Sequence, residues 1–155
     1  MKLKHIIKRG LSLIQPTKNY MPISHISRLL QRLKEKKIII TGGGKGLGKA
    51  MAKKFVAEGA SVLITGRDEN ALKTAASEIN CLYLQFNVTD FKNMDAFLKQ
   101  ADEMLSGADV LINNAGLSLH EKNITSVSLE QFDAQINTNL KASYFFIPKI
   151  SGQLY

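Results

Sequence analysis

Several features that mark specialised protein classes are scarce in this sequence. Its 155 residues include one cysteine, Cys81, so an internal disulfide framework is excluded and a reducing compartment such as the cytoplasm is indicated. No apolar run approaches the length that a membrane-spanning helix needs. Internal repeats and low-complexity segments are also absent. The hydrophobic content of 45% with 22% charged residues is typical of one globular domain with a single core.

Acidic residues are almost missing from the first 37 positions, where ten Lys and Arg residues accompany one acid, Glu35. The remaining 118 residues contain eleven basic and twelve acidic residues, so the formal net charge of +8 belongs to an N-terminal arm. Because the body behind the arm is nearly neutral, the charge does not indicate a nucleic-acid-binding protein.

Apolar residues recur in this arm at helical spacing, which predicts two short basic amphipathic helices within residues 1–36. Pro16 ends the first helix, and the second begins near Ile23. Three interpretations stay open: a solvated extension, a peripheral contact with an anionic membrane surface, and organelle targeting. We place the solvated extension first and targeting last.

From residue 37 onward, short apolar runs alternate with amphipathic stretches, which predicts βαβ units and a parallel sheet covered on both faces. Strands are expected over residues 37–41, 61–65, 81–86 and 109–113. Right-handed crossovers then predict an α/β fold over residues 37–155, a Rossmann-type doubly wound sheet in the strand order 3-2-1-4 that is incomplete at its C-terminal side.

The helices between these strands carry recognisable start signals. After the helix that runs from about Leu47 to Gly59, Asp68 is expected to cap a helix over residues 68–79, and Asp90 one over residues 90–105. A long helix over residues 128–149 begins with the capping-box pattern of Ser128 and Gln131.

A glycine-rich stretch, TGGGKGLG at residues 41–48, joins the first strand to the first helix. The strict dinucleotide fingerprint fails, because it needs glycine at Leu47 or Lys49. The P-loop pattern fits the spacing of its glycines and lysine but breaks at Ala50, where a Ser or Thr is required. The pattern that fits is T-G-x-x-x-G-x-G, and a pyrophosphate at the helix start would explain it. The alternative is a tight turn that binds nothing.

A second motif, NNAG at residues 113–116, follows the fourth strand, which is the neighbour of the first in the predicted order. Both loops therefore meet at one crevice. With both motifs in place, residues 36–150 resemble the N-terminal half of the classical short-chain dehydrogenase/reductase family.

The resemblance implies a nicotinamide dinucleotide cofactor. The residues that match the family's cofactor contacts are Thr41, Gly42, Gly44, Lys45, Gly46, Leu47, Gly48, Arg67, Asn87, Val88, Asn114, Ala115 and Gly116. Asn87 replaces the usual Asp, and its amide oxygen is expected to accept a hydrogen bond from the adenine amino group. Asn113 matches a residue that ties the central strands together. Asn139 matches a helix residue that holds a water in the family's proton relay.

The end of the second strand indicates the cofactor's phosphorylation state. An NAD-specific site places an acid there for the ribose 2′-hydroxyl, but this strand ends in Thr65-Gly66-Arg67. Arg67 and Lys45 together favour a 2′-phosphate, so NADP(H) is expected to be preferred over NAD(H). The alternative for Arg67 is a solvated cation in a turn.

The acid that carbonyl reduction requires is not found. The family supplies it from Tyr-x-x-x-Lys, but Tyr144 is followed at that spacing by Pro148, Tyr155 is the last residue, and Ser151 comes too early to be the family's serine. The three histidines are interpreted as surface residues, and no metal site is predicted.

These patterns predict a truncated NAD(P)(H)-dependent oxidoreductase that is inactive as the 155-residue chain. A complete relative is expected to act on a small carbonyl or alcohol substrate. The apolar helix at residues 128–149 is a candidate surface for a homo-oligomer. The alternatives are a non-catalytic dinucleotide-binding module, which includes a partner of a full-length relative, and, less favoured, a P-loop nucleotide hydrolase.

Overall fold

The computed structural model describes residues 31–119 and 124–151 of the chain. The helices predicted for the arm lie outside this part, apart from residues 32–35, which form turns. The Leu33 N–H donates to the Glu58 carbonyl at 3.1 Å, and the Ser61 N–H donates to the Lys36 carbonyl at 2.8 Å. The segment that precedes the first strand is therefore held at the amino end of the sheet.

Strands and helices alternate along the described chain. The strands are β1 (Lys37–Thr41), β2 (Ser61–Gly66), β3 (Leu82–Gln85) and β4 (Val110–Ile112). The helices are α1 (Gly46–Ala57), α2 (Glu69–Ile79), α3 (Met94–Leu105), α4 (Leu129–Ile136) and α5 (Ala142–Ser151). A 3₁₀ turn lies at Ile124–Ser126 and a π-helical turn at Asn137–Lys141. Each predicted strand is present within about one residue of its expected bounds.

The strands form one parallel sheet in the order β3-β2-β1-β4, as predicted. Ile39 of β1 pairs with Leu63 of β2 on one side and with Leu111 of β4 on the other. Because all four strands run in the same direction, their carboxyl ends lie along one edge of the sheet. The Rossmann-type topology is confirmed.

Successive side chains of β1 point to opposite faces of the sheet and enter two separate cores. Ile38 and Ile40 pack in a cluster that contains Ala52 of α1 and several residues of α2. Ile39 packs on the other face in a cluster that contains residues of α3 and Phe146 of α5. Helices therefore cover both faces, which explains why β1 is apolar at three consecutive positions.

Two of the predicted helix starts are confirmed and one is wrong. Asp68 caps α2, and Ser128 forms a complete capping box at the start of α4. Asp90 does not cap a helix, because α3 begins at Met94 and its N-cap residue, Asn93, makes no side-chain cap. Asp90 instead accepts a hydrogen bond from the Asn93 N–H at 3.3 Å and so organises the turn before the helix.

The long helix predicted from Ser128 is interrupted by the π-helical turn, in which the Ala142 N–H donates to the Asn137 carbonyl. Beyond this turn, Ala142 and Phe146 are buried. Most other apolar side chains of α4, the π-helical turn and α5 remain exposed: Leu129, Phe132, Ile136, Leu140, Tyr144, Phe145 and Ile147. None of the described helices combines the length and the apolarity that crossing a bilayer requires.

Candidate functional site

A crevice opens at the carboxyl ends of the strands. Its walls come from the glycine-rich loop, the ends of β2 and β3, the loop after β4 and the π-helical turn. The lining residues are Gly42, Gly66, Arg67, Phe86, Asn87, Val88, Asn114, Ala115, Gly116 and Thr138. Seven of the thirteen predicted cofactor residues are among them, so the structure brings the two predicted loops together at one site.

Thr41 and Asn114 join the two loops behind the crevice. The hydroxyl of the buried Thr41 accepts hydrogen bonds from the N–H groups of Asn114 and Ala115, each at 3.0 Å. The Asn114 side-chain nitrogen donates to the carbonyls of Thr41 and Gly42, at 3.0 and 3.1 Å. This tie between the central strands was predicted for Asn113, but Asn114 makes it. Thr41 therefore holds the walls of the site and does not line it.

Two glycines of the loop are required by internal packing. A Cβ at Gly48 would lie 2.3 Å from the Gly42 carbonyl oxygen and 2.6 Å from the Asn114 side-chain nitrogen. A Cβ at Gly43 would lie 2.5 Å from the Ile64 side chain. The close contact of α1 and the loop with their neighbours therefore excludes side chains at both positions without any ligand.

Gly46 is different, because a Cβ there would have no heavy atom within 4 Å. Its φ of +54° is a left-handed conformation that favours glycine. Gly46 is the first residue of α1, whose N-cap residue, Lys45, makes no side-chain cap and whose first turn contains no acidic residue. The N–H groups of this first turn and the positive end of the helix dipole are therefore available to an anion.

Leu47 and Gly44 belong to the loop but do not line the crevice. The Leu47 side chain is 70% exposed and does not line the crevice. A Cβ at Gly44 would lie 3.4 Å from the Ala71 side chain, which is an ordinary contact with the start of α2. Binding of the cofactor by the backbone of these two residues stays a prediction.

The two predicted cations differ in their surroundings. Arg67 lines the crevice, and its carbonyl accepts a hydrogen bond from the Gln85 side chain at 2.9 Å. The Lys45 ammonium lies 2.7 Å from the Asp68 carboxylate. Two hydrogen bonds lower the pKa of the Asp68 carboxyl: the one from Lys45 has the larger effect, and the one from the Ala71 N–H has the smaller effect. Lys45 therefore has an anionic partner within the protein.

Asn87 and Val88 form the wall after β3. The Asn87 side-chain oxygen accepts hydrogen bonds from the Thr89 N–H at 3.2 Å and from the Thr89 hydroxyl at 3.0 Å. These two hydrogen bonds organise the turn after β3. The predicted hydrogen bond from the adenine amino group to the Asn87 oxygen stays a prediction.

Asn139 lies in the π-helical turn and uses both ends of its amide on the loop after β4. Its oxygen accepts from the Leu117 N–H at 2.8 Å, and its nitrogen donates to the Leu117 carbonyl at 2.9 Å. The side chain thus positions the loop beside Gly116. Its predicted role in holding a relay water stays a prediction.

Three lining residues, Gly66, Phe86 and Thr138, were not predicted. Each directly precedes a predicted residue in the sequence, at Arg67, Asn87 and Asn139 respectively. Adjacency to the motif residues is the signal that would have found them, because strand ends and helix turns present neighbouring residues to the same crevice.

Tyr144 is not part of the crevice. It is exposed, lies outside the set of residues that line the crevice, and packs edge-on against Phe145 with ring centroids 5.4 Å apart. The described residues therefore include an uncapped helix start, a cation and a crevice, but no Tyr-x-x-x-Lys pair.

The short chain dehydrogenase family model matches residues 36–154 of the chain. An uncharacterized oxidoreductase of Staphylococcus epidermidis is 35% identical over 116 residues, which cover 74% of this chain. An uncharacterized oxidoreductase of Staphylococcus aureus is 31% identical over 116 residues, which cover 73% of this chain. The chain spans about half the length of these curated relatives, because the alignments cover 50% of each.

Two solved structures share the fold. The 3-ketoacyl-(acyl-carrier-protein) reductase from Brucella melitensis, complexed with NADH, superposes with a TM-score of 0.75 and 32% identity over 78% of this chain and 50% of that protein. A metagenomic short-chain oxidoreductase in complex with NADP gives a TM-score of 0.74 and 27% identity over 79% of this chain and 57% of that one. These matches leave the P-loop hydrolase alternative without support.

Proposed function

Since the chain belongs to the short chain dehydrogenase family, we propose that its crevice binds a nicotinamide dinucleotide, NADP(H) in preference to NAD(H), as the cofactor-binding part of an oxidoreductase. The observation that carries this proposal is the uncapped start of α1 at Gly46, which ends the loop whose Gly42 lines the crevice together with Arg67 and residues 114–116. The two structural neighbours carry NADH and NADP, which supports the cofactor class.

The residues divide the dinucleotide among three positions. The start of α1 would hold the pyrophosphate, because its N–H groups and dipole favour an anion and Gly46 leaves room for one. Arg67, at the end of β2, would bind the 2′-phosphate. The base would then lie towards β3, against Val88, with Ala115 and Gly116 beside the ribose.

The reaction of a complete enzyme would be the reduction of a small carbonyl compound or the reverse oxidation of an alcohol. A bound nicotinamide cofactor supplies the hydride for such a reaction. The developing alkoxide must also receive a proton from an acid at the reacting oxygen. The 155 residues contain no Tyr-x-x-x-Lys sequence to provide it. We therefore assign cofactor binding without turnover to this chain by itself, with Asn139 in a positioning role.

The exposed apolar surface of α4, the π-helical turn and α5 supports a further part of the proposal. Copies of the chain, or the chain and a full-length relative, would associate through it. Large side chains such as Phe132, Leu140 and Tyr144 are more than half exposed there, and surfaces of this kind mark protein interfaces. A cytoplasmic location, with contact between residues 1–36 and anionic lipid as an alternative, completes the proposal.

Titration of the purified chain with NADPH and NADH, followed by nicotinamide fluorescence, tests the binding. We expect saturable binding of both with a lower Kd for NADPH, and no competition by Mg-ATP, which a P-loop hydrolase would bind. A parallel assay of NADPH oxidation against a panel of carbonyl compounds should show no protein-dependent rate. Direct binding of Mg-ATP by a chain that binds neither dinucleotide would overturn the proposal. Turnover by a monodisperse sample would overturn the assignment of binding alone.

A further inference from the structure

The ion pair between Lys45 and Asp68 lies at the place where the two nicotinamide dinucleotides differ. NADP(H) carries a phosphate on the ribose 2′-oxygen, and this group is read at the end of the second strand of a Rossmann fold. Arg67 and Asp68 follow β2 directly, and Lys45 precedes α1. A 2′-phosphate bound by Arg67 would therefore come close to both members of the pair.

Asp68 holds Lys45 by a contact of 2.7 Å between the ammonium and one carboxylate oxygen. The other carboxylate oxygen accepts the Ala71 N–H at 3.0 Å, as the N-cap of α2. The cap fixes the carboxylate in place. To reach a phosphate, the Lys45 ammonium must therefore either break its contact with Asp68 or contact Asp68 and the phosphate at the same time. A fixed carboxylate would also repel the 2′-phosphate and would accept a hydrogen bond from a 2′-hydroxyl.

We propose that Asp68 is a specificity-determining residue that competes with the cofactor's 2′-phosphate for Lys45 and thereby reduces the preference for NADP(H). The inference rests on the proposed dinucleotide function. In this site Arg67 favours the phosphate, Asp68 opposes it, and the chain binds both dinucleotides with affinities closer together than its two cations alone would give.

The size of the effect follows from exposure. The side chains of Lys45 and Asp68 are 74% and 55% exposed, so solvent screens the pair strongly. Exposed ion pairs of this kind change an equilibrium by about twofold to fivefold. Release of Lys45 and loss of the repulsion act in the same direction on NADPH, whereas NADH loses a hydrogen-bond acceptor.

Asp68→Asn tests the proposal, because Asn removes the charge and keeps the N-cap. We expect the ratio of the Kd for NADH to the Kd for NADPH to rise by about twofold to fivefold at low salt, and by less at 0.5 M NaCl, where screening is stronger. Asp68→Ser, which also caps, should shift the ratio in the same direction. The matched control is Glu69→Gln at the next position along the chain. It removes the exposed ion pair between Glu69 and Lys73 and should leave the ratio unchanged.

A double-mutant cycle with Lys45→Met separates the two parts of the effect. In that background Asp68→Asn should raise the ratio less, because no lysine remains to be released. An unchanged ratio in both Asp68 variants, with both dinucleotides still bound, would overturn this inference alone. Failure of the unaltered chain to bind either dinucleotide would overturn the proposed function and this inference together.

Discussion

The helices that follow β1 and β2 begin at the same edge of the sheet in opposite ways. At the start of α2, Asp68 accepts the Ala71 N–H and the acidic Glu69 follows in the first turn. At the start of α1, the side chain of the N-cap residue Lys45 does not cap the helix, and the first turn contains no acid. Closing a helix start with its own side chains contributes to stability, whereas leaving it open keeps the N–H groups for a ligand.

The open start of α1 is tolerated because the helix is held by packing. Ala52 is fully buried against the sheet, and Gly48 brings the helix against the Gly42 carbonyl. An absent cap costs a helix about 1 kcal/mol, which burial of the helix face offsets. In this loop, Gly48 therefore maintains the fold, whereas Gly46 faces the space proposed for the ligand. Substitutions at these positions can distinguish the two roles.

Gly48→Val should have the largest effect, on the fold itself. The new side chain would overlap the Gly42 carbonyl oxygen, which is backbone and cannot move without displacing the loop. We expect unfolding to become easier by about 3 kcal/mol or more, measured by urea denaturation. The matched control is Gly44→Ala, whose Cβ would make an ordinary contact of 3.4 Å and should be nearly neutral. Superimposable denaturation curves for Gly48→Val and the unaltered chain would contradict this account of the turn.

Gly46→Asp should separate binding from stability. The position has open space around it, Asp adopts the left-handed conformation more readily than most residues, and an acid in the first turn suits the helix dipole. We expect the free energy of unfolding to change by no more than about 1 kcal/mol. Dinucleotide affinity should fall by about a hundredfold or more, because the carboxylate would face the pyrophosphate.

The control for this substitution is Gly46→Asn, which has the same size without the charge and should bind dinucleotide better than Gly46→Asp. Equal affinities in the two variants would show that no anion is bound at this helix start.

Arg67→Ala should have the next largest effect and should weaken the binding of NADPH more than that of NADH. Loss of a charged contact with the 2′-phosphate costs about 1–3 kcal/mol of binding free energy, so the Kd for NADPH should rise while that for NADH changes little. Arg67→Lys keeps the charge without the planar fork and should give an intermediate Kd. Fluorescence titrations measure both constants, and parallel weakening of the two cofactors would rule out 2′-phosphate recognition by Arg67.

Ser128→Ala should have the smallest effect and should leave binding unchanged. It removes a capping box in which the Gln131 N–H donates to the Ser128 hydroxyl at 3.2 Å and the Ser128 N–H donates to the Gln131 side chain at 2.7 Å. Thermal unfolding should report a loss of about 1 kcal/mol. A change in the Kd for NADPH would mean that capping and ligand binding are not separate functions in this chain.

The fold was predictable because β1, β2 and the helices after them carry strong local signals. Three consecutive isoleucines predict a strand buried on both faces, and Asp68 and Ser128 stand where caps belong. Asp90 was assigned wrongly because an aspartate that organises a turn has the same local pattern as one that caps a helix. The π-helical turn was not predicted from the helical pattern, and its Asn139 is hydrogen-bonded to Leu117, 22 residues away in the sequence.

The sequence predicted where the site residues lie better than it predicted what each of them does. The motifs located both loops, but only distances separate Gly48, which packs inside, from Gly46, which faces open space. The ion pair of Lys45 with Asp68 joins residues 23 positions apart, and side-chain pairing over such a separation cannot be read from spacing. Asn87 differs, because its oxygen accepts hydrogen bonds from Thr89 only two residues away, a local turn contact that the motif assignment did not include.

The π-helical turn at Asn137–Lys141 also restricts how this chain can change in length. A turn that closes over five residues contains one residue more than regular α-helix would have there. Deleting one residue of the turn would restore α-helical geometry and leave α4 and the buried side of α5 in their present phase. A deletion between Ala142 and Phe146 has no extra residue to absorb it and would rotate one of these two buried side chains by about 100° out of the core. A one-residue change of length is therefore expected to be tolerated in the turn and not in the buried part of α5.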